Sequence, residues 1–340
     1  MAEAENRRFL LAERPEGMVD DRTFELVREP VPEIADGEAL VRVSHISIDP
    51  TNRMWIGEEP TYLPPVAIGE VMRGLGLGEV VESRNENFPV GARVNGLTGW
   101  QDYTVVSDEL PLMLVPPEVA ADAPALLGTL GMTGCTAYFG MLEIGEPHEG
   151  DTVVVSAAAG AVGSVAGQLA KLKGARVVGI AGGPEKCRFV TEELGFDAAV
   201  DYKAGDWRDQ LAAATPDGID LDFENVGGEV MEAVFSRLNQ GARVALCGLI
   251  SGYNEADPPP GPRSFGKLLV QRVKLQGFII LDYYPRFGEA IRELSGWVAE
   301  GRLKAVETVV EGFERLPEAL NMLFAGENTG KLVVRIAGDD

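Results

Sequence analysis

From Asp151 onward the chain alternates short β-branched runs with helical patterns, and this alternation constrains the fold more than any other feature. Thr152-Val-Val-Val-Ser156 reads as a strand, and Val162 to Lys173 as the helix after it. Further strands are expected at Arg176-Val-Val-Gly-Ile180, Ala198-Ala-Val-Asp201, Ile219-Asp-Leu-Asp-Phe-Glu224, Ala242-Arg-Val-Ala-Leu-Cys247 and Val273 to Ile280. Glu185 to Leu194, Val230 to Leu238 and Pro285 to Glu300 carry helical patterns. Strands that take turns with helices pack as one parallel sheet covered on both faces.

The turn after the first strand is Ala157-Ala-Ala-Gly-Ala-Val-Gly163. Strand, tight glycine turn and helix are the setting in which a dinucleotide pyrophosphate is bound. Gly160 lets backbone approach the pyrophosphate, and Gly163 lets the helix pack on the sheet. The helix start offers free N–H groups and a positive dipole end. Ala158 stands where G-x-G-x-x-G has its first glycine, so the fingerprint is incomplete. Taken alone, the segment also fits a glycine turn without a ligand. The next strand sharpens the reading, because an NAD site places an Asp or Glu about 20 residues on. Here the strand ends Gly179-Ile-Ala-Gly-Gly-Pro-Glu-Lys186, with no carboxylate at its tip. Small residues, Gly182 among them, leave room for a 2′-phosphate, and Lys186 can pair with it. Glu185 is the contrary charge, and on a helix it points elsewhere. The expected fold class is α/β, a Rossmann doubly wound parallel sheet, and the expected cofactor is NADPH.

The first ~125 residues have a different texture. Ala39-Leu-Val-Arg-Val-Ser-His-Ile-Ser-Ile48 alternates apolar and polar positions, and Gly76 to Val81 and Ala92 to Asn95 read as shorter strands. Many short strands with glycine turns suggest a small β-barrel. Near Pro116-Pro117 the pattern turns helical, over Ala120 to Leu130 and Gly134 to Leu142. Pro258 to Pro262 reads as a loop, and the chain ends in a helix (Pro317 to Phe324) and a strand (Lys331 to Ile336). With 340 residues, two domains are expected. We place one at 1–127, completed by 311–340, and the other at 128–310.

Composition removes several functions. Acidic residues number 53 and basic residues 30, a net charge of −23, and no Lys/Arg run interrupts it, so nucleic acid is not an expected partner. Cys135, Cys187 and Cys247 can form neither a disulfide framework nor a four-cysteine zinc lobe, and the only histidines are His45 and His148. No metal site is expected, and the thiols suit a reducing, cytoplasmic setting. Met1 to Arg8 is polar, without the apolar segment of a targeting peptide. The uncharged stretches Ala123 to Leu142 and Thr152 to Ala170 read as buried soluble elements, because glycines and a switch of residue type interrupt them. No H-E-x-x-H, G-x-S-x-G or Walker A motif is present. Hydride transfer fits this scarcity, since a cofactor carries the difficult chemistry.

Five stretches together resemble a known family. They are Gly128-Thr-Leu-Gly-Met-Thr-Gly-Cys-Thr-Ala-Tyr-Phe-Gly140, the Ala157–Gly163 turn, Gly179 to Cys187, Glu224-Asn-Val-Gly-Gly228 and Leu275-Gln-Gly-Phe-Ile-Ile280. In this order they resemble the zinc-free leukotriene/prostaglandin reductase branch of the medium-chain dehydrogenase/reductase superfamily. The likeness extends to Gly326-Glu-Asn-Thr-Gly-Lys331. It implies a GroES-like barrel beside the Rossmann domain, a homodimer formed through the sheet edge near Val273 to Ile280, and reduction of the C=C bond of α,β-unsaturated ketones or aldehydes. By position it implies pyrophosphate contacts at Gly160, Ala161, Val162 and Gly163, and 2′-phosphate contacts at Lys186 and Tyr202. It implies an adenosine-side contact at Asn225, and a loop against the nicotinamide half from Cys247 to Tyr253. Backbone contacts to the nicotinamide amide fall at Phe278, Ile279 and Ile280, and a further cofactor contact at Asn328. Met132 and Thr136 lie at the helix start beneath the nicotinamide. Zinc-dependent relatives need Cys and His ligands, whereas this chain has Ser47-Ile-Asp49 and Ile68-Gly-Glu70.

The sequence departs from that branch at Pro50-Thr-Asn-Arg53, where many relatives have Pro-Tyr-Met-Arg, and at Thr133, where the branch usually has Pro. An active-site tyrosine of the relatives is thus missing. Tyr62, Trp100 and Tyr253 remain as aromatic candidates for the pocket, with Tyr253 and Tyr62 as candidate catalytic hydroxyls. In the expected reaction hydride reaches the β-carbon, and a hydroxyl from Tyr253 or the nicotinamide ribose supports the enolate oxygen. A quinone reductase and a non-enzymatic NADPH-binding protein are the alternatives.

Overall fold

The computed structural model describes residues 5–59, 61–108, 112–116, 121–255 and 260–337. Pro117, Ala120, Pro258 and Pro259 of the sequence reading lie outside them. The chain divides into two units, one up to Leu127 together with Glu307 onward, the other Gly128–Val306. In chain order the described strands begin with β1 (Glu5–Leu11), β2 (Phe24–Pro30), β3 (Ala39–Ile48), β4 (Leu75–Ser83), β5 (Arg93–Leu97), β6 (Tyr103–Val106) and β7 (Leu112–Leu114). The next six are β8 (Thr152–Val155), β9 (Arg176–Ala181), β10 (Ala198–Asp201), β11 (Ile219–Glu224), β12 (Leu238–Leu246) and β13 (Lys274–Gly277). The last two are β14 (Glu307–Glu311) and β15 (Lys331–Arg335).

In the first unit the alternating β3 organises the sheet. It pairs antiparallel with β4 along one edge, while β6 and β15 share its other edge, β6 along Ala39–Arg42 and β15 along His45–Ile48. Among the described residues the pairing path runs β14-β15-β3-β4-β5-β7, with β14 and β7 at its ends. The unit resumes at Glu307 rather than at 311, because β14 pairs in register with β15 from Glu307↔Lys331 to Glu311↔Arg335. Sequence reading passed over β1, whose start is polar. Asn6 is nonetheless buried, its Nδ2 donating to the Tyr103 carbonyl at 3.1 Å and its Oδ1 accepting the Tyr103 N–H at 2.9 Å.

Trp100 requires a correction. It has no exposed surface, and its ring lies 5.1 Å from Phe24 and 6.1 Å from Phe9 between centroids. Phe9 in turn stacks on Phe313 at 5.2 Å. The indole fills the core of the first unit and is not available to line a substrate pocket.

The second unit is the doubly wound sheet. Its six parallel strands run β10-β9-β8-β11-β12-β13, the 3-2-1-4-5-6 order of a Rossmann fold. Val153, Val154 and Val155 are wholly buried, as a strand covered on both faces requires. The helix Trp207–Ala214, absent from the sequence reading, buries only Trp207 and Leu211, too sparse a stripe to stand out. Strand β13 is shorter than expected and ends at Gly277, since Ile280–Arg286 coils into a tight helical turn.

Candidate active site

Ligands of such sheets bind beyond the carboxyl ends of the strands, where the strand order reverses. Here the reversal lies between β8 and β11. The turn leaving β8 carries Ala157 at φ +49° and then Gly160, the extended residue that opens the helix Ala161–Leu172. A Cβ on Gly163 would stand 2.3 Å from the Ala157 carbonyl oxygen, so only glycine lets the helix sit this close to the turn. No side chain caps the helix, and the amides of Ala161, Val162 and Gly163 have no intrahelical acceptor, as first-turn amides do not. Ala158 replaces the first fingerprint glycine without strain. It is fully buried and its N–H donates to the Ile180 carbonyl at 3.0 Å.

One strand over, the end of β9 is built for an anion. A Cβ on Gly182 would meet the Tyr202 ring at 2.8 Å and the Lys203 side chain at 3.1 Å, so both lie against this glycine. Asp201 holds the corner, its Oδ1 accepting the N–H of Gly183 at 2.7 Å and of Lys203 at 3.0 Å. Lys186 is half-buried. Burial lowers its pKa from the ordinary lysine value, and the nearby Lys203 ammonium lowers it further. Two cations facing one corner are costly unless a dianion joins them. Sequence reading missed Lys203; its adjacency to Tyr202 was the available signal.

At the other side of the reversal, Glu224 is wholly buried at the end of β11. Its Oε1 accepts from Ser156 Oγ at 2.8 Å, Val226 N–H at 2.5 Å and Gly227 N–H at 2.9 Å. Asn225 donates its N–H to Ser156 Oγ and its Nδ2 to the Ser156 carbonyl, both at 2.7 Å. Its Oδ1 and the second hydrogen of Nδ2 are left for the adenosine-side contact expected of it. Asp222 is also wholly buried, with neither carboxylate oxygen hydrogen-bonded. Burial and the charge of Glu224 hold Asp222 well above the usual carboxylate range, and burial raises Glu224 as well. β11 alternates apolar and acidic residues, yet the sheet buries both of its faces.

The remaining candidates fall as follows. Tyr253 accepts the Leu249 N–H at 3.1 Å through its hydroxyl oxygen, and burial raises its pKa above the ordinary tyrosine value. Its own proton is therefore held and is available to donate. Cys247 lies at the start of the same loop, its thiol pushed up to about 12 by burial and then by Glu224. Thr136 spends its hydroxyl on the Met132 carbonyl at 2.8 Å. Phe278 packs over Gly140, and Ile279 and Ile280 follow it beyond β13, Ile279 in extended conformation. Tyr62 belongs to the first unit, is 36% exposed and lies within electrostatic reach of Arg73. Asn328, also of the first unit, is buried and donates Nδ2 to the Gly330 carbonyl at 2.9 Å.

Zinc does not fit the corresponding donors. Asp49 is committed to the buried Lys331 ammonium at 2.7 Å and to the Ser47 hydroxyl, and Glu70 accepts the Ala67 N–H at 3.0 Å. Among the described residues no cluster of three His, Cys, Asp or Glu side chains is arranged to hold a metal.

The strand order, the glycine turn at the reversal and the cationic corner define a dinucleotide-binding α/β protein. Residues 7–114 match the family described as the N-terminal domain of oxidoreductase, and 161–296 the family described as zinc-binding dehydrogenase. The chain is 46% identical to an NADPH-dependent curcumin reductase of Escherichia coli (strain K12), covering 98% of each chain. It is 41% identical to prostaglandin reductase 1 of Mus musculus, covering 94% of this chain and 96% of that one. The crystal structure of CurA in complex with NADPH from Vibrio vulnificus superposes with a TM-score of 0.93 at 45% identity, covering 98% and 99%. The chain belongs to the zinc-free branch of NADP-dependent oxidoreductases in the medium-chain dehydrogenase/reductase superfamily.

Proposed function

We propose that this protein reduces the C=C bond of α,β-unsaturated ketones and aldehydes with NADPH, delivering hydride to the β-carbon. The observation that carries the reading is its likeness, over 98% of its length, to an NADPH-dependent curcumin reductase. The residues present fit the cofactor. The uncapped helix start at Gly160 suits a pyrophosphate, and Gly182, Lys186, Tyr202 and Lys203 suit a 2′-phosphate. NADPH supplies the hydride when bound. The chain supplies a donor for the charge that develops on the substrate oxygen, and Tyr253, a protonated phenol polarised by the Leu249 amide, is the residue we assign to it. Tyr62 is the second candidate hydroxyl. We assign Met132, Thr136, Asn225, Cys247, Phe278, Ile279, Ile280 and Asn328 to the cofactor and its surroundings. In this reading the unit up to Leu127 together with Glu307 onward forms a GroES-like substrate domain, and Gly128–Val306 the cofactor domain.

Conjugate addition suits a site without a Lewis acid, because an enolate spreads its charge so that one hydroxyl can support it. With NADPH deuterated at its transferable C4 position and a simple enone, deuterium is expected on the former β-carbon of a saturated ketone. Deuterium on the carbinol carbon of an allylic alcohol would overturn the reading. Tyr253→Phe is expected to lower kcat by about 10²-fold. A loss under about threefold would remove Tyr253 from the donor role.

The protein acts as a cytoplasmic homodimer in this reading. All four residues of the edge strand β13 are exposed, and Leu269 (83%), Val270 (68%) and Phe265 (61%) leave an apolar surface in the same unit. Sedimentation of the parent protein is expected to give a dimer, and Leu269→Glu with Val270→Glu a monomer. A parent monomer at micromolar concentration would contradict it. Among the described residues no helix is long and apolar enough to cross a membrane.

A further inference from the structure

The strongest unexplained feature is the density of hydrogen bonds at the reversal point. Ser156 ends β8 and Glu224 ends β11, so the bond between their side chains spans the crevice mouth itself. Glu224 reaches three segments from one position. Its Oε1 gathers the hydroxyl of Ser156 and the amides of Val226 and Gly227. Its backbone carbonyl accepts the amides of Cys247 at 2.9 Å and Gly248 at 3.1 Å, at the start of the loop after β12. That loop is tied back a second time, Ile250 N–H to the Asn225 carbonyl at 3.1 Å and Ser251 N–H to the Val226 carbonyl at 2.9 Å. The same loop carries Tyr253.

We propose that Glu224 is a positioning residue of the cofactor crevice: its buried carboxylate sets the spacing between the β8 turn and the Asn225–Gly228 turn, and the backbone carbonyls of Glu224, Asn225 and Val226 then carry the start of the Cys247–Tyr253 loop. This rests on the reading that the crevice takes NADPH. The mechanism is geometric. Gly227 has φ +78° and Gly228 φ +54°, a turn that aims successive amides inward, and Glu224 Oε1 is the acceptor that meets two of them. Without that acceptor, the amides of Val226 and Gly227 lose their partner and the Ser156 hydroxyl is left with the Phe223 carbonyl at 3.4 Å, so the turn must shift to satisfy them. An acceptor oxygen, rather than a charge, is what the arrangement needs. The amide of glutamine retains that oxygen.

The test compares parent, Glu224→Leu, Glu224→Gln and Ser156→Ala, by titrating NADPH and NADH separately and by melting each protein without cofactor. Glu224→Leu is expected to weaken both cofactors equally, by about 10- to 100-fold, the range left by unpaired buried donors. Ser156→Ala should weaken both about fivefold, and Glu224→Gln should return both to within threefold of the parent. A merely structural residue would lower the melting temperature yet leave the dissociation constant of the folded protein unmoved. The proposal is overturned by folded Glu224→Leu binding within threefold of the parent, or by Glu224→Gln binding as weakly as Glu224→Leu. If Glu224→Leu fails to fold, Ser156→Ala decides, and unchanged binding there is equally fatal. A parent protein that does not bind NADPH would overturn the functional reading itself. Parent binding with unaffected variants overturns only the role of Glu224.

Discussion

Replacing both Lys186 and Lys203 with alanine is expected to raise KM for NADPH by about 10²-fold or more, while KM for NADH stays within about threefold. Each ammonium near a 2′-phosphate contributes ~1–4 kcal/mol for a unit pair at 4 Å, between bulk-water and near-surface dielectrics. Two such pairs lost together give about 30-fold at the weak end and about 10²-fold where each is worth ~1.4 kcal/mol. Lys186 alone is expected to give about tenfold. The depressed pKa of Lys186 beside Lys203 fits a corner that has two cations and expects a dianion. Steady-state kinetics with each cofactor check this. Equal losses for NADPH and NADH would remove both lysines from the 2′-phosphate site. That common loss is instead the signature expected of Glu224→Leu, so the two experiments separate the two ends of the cofactor.

Lys331→Met is expected to destabilise the protein by ~3–5 kcal/mol, the cost of breaking a buried ion pair from one side. Lys331 is 2% exposed, and its Nζ donates to Asp49 Oδ1 at 2.7 Å and to the Ile48 carbonyl at 2.6 Å. Burial lowers the lysine's pKa, and the Asp49 carboxylate opposes that shift. With Lys331 gone, Asp49 keeps the Ser47 hydroxyl but loses its counter-charge. The melting temperature should fall on the order of 10 °C. Adding Asp49→Asn should recover a substantial part, because the stranded charge is removed. A single variant within about 1 kcal/mol of the parent would show that the pair contributes little.

Local chemistry was enough to read the parallel sheet. Thr152–Val155, Arg176–Ala181 and Ile219–Glu224 have the length and β-branching of buried strands, and the glycine turn at Gly160 demands a helix directly after it. The zinc-free character was equally local, since it depends on which residue types are present. So was the choice of cofactor, because a missing carboxylate after β9 and a following Lys186 are visible along the chain. Other features were hidden for a shared reason. Lys203 acts at Lys186 only because β9 and β10 are neighbours. Trp100 looked like a pocket aromatic, and only the convergence of β1 and β2 on it, through Phe9 and Phe24, makes it core.

Sequence by itself determined the elements that short-range forces specify: strand and helix types, the glycine turn at Gly160, the net charge of −23 and the family resemblance. Tertiary structure alone decided what depends on neighbours distant in the chain. Asp222 and Glu224 lie on an alternating strand that would be half-exposed at a sheet surface, and burial between β8 and β12 raised the pKa of both and gave Glu224 its partners at Ser156, Val226 and Gly227. Asp49 and Lys331 are 282 positions apart, and only the antiparallel pairing of β15 with β3 brings them together. The physical reason is the same in each case. A side chain's solvation and partners are set by the surfaces that fold over it, and those surfaces come from parts of the chain that no local pattern can identify.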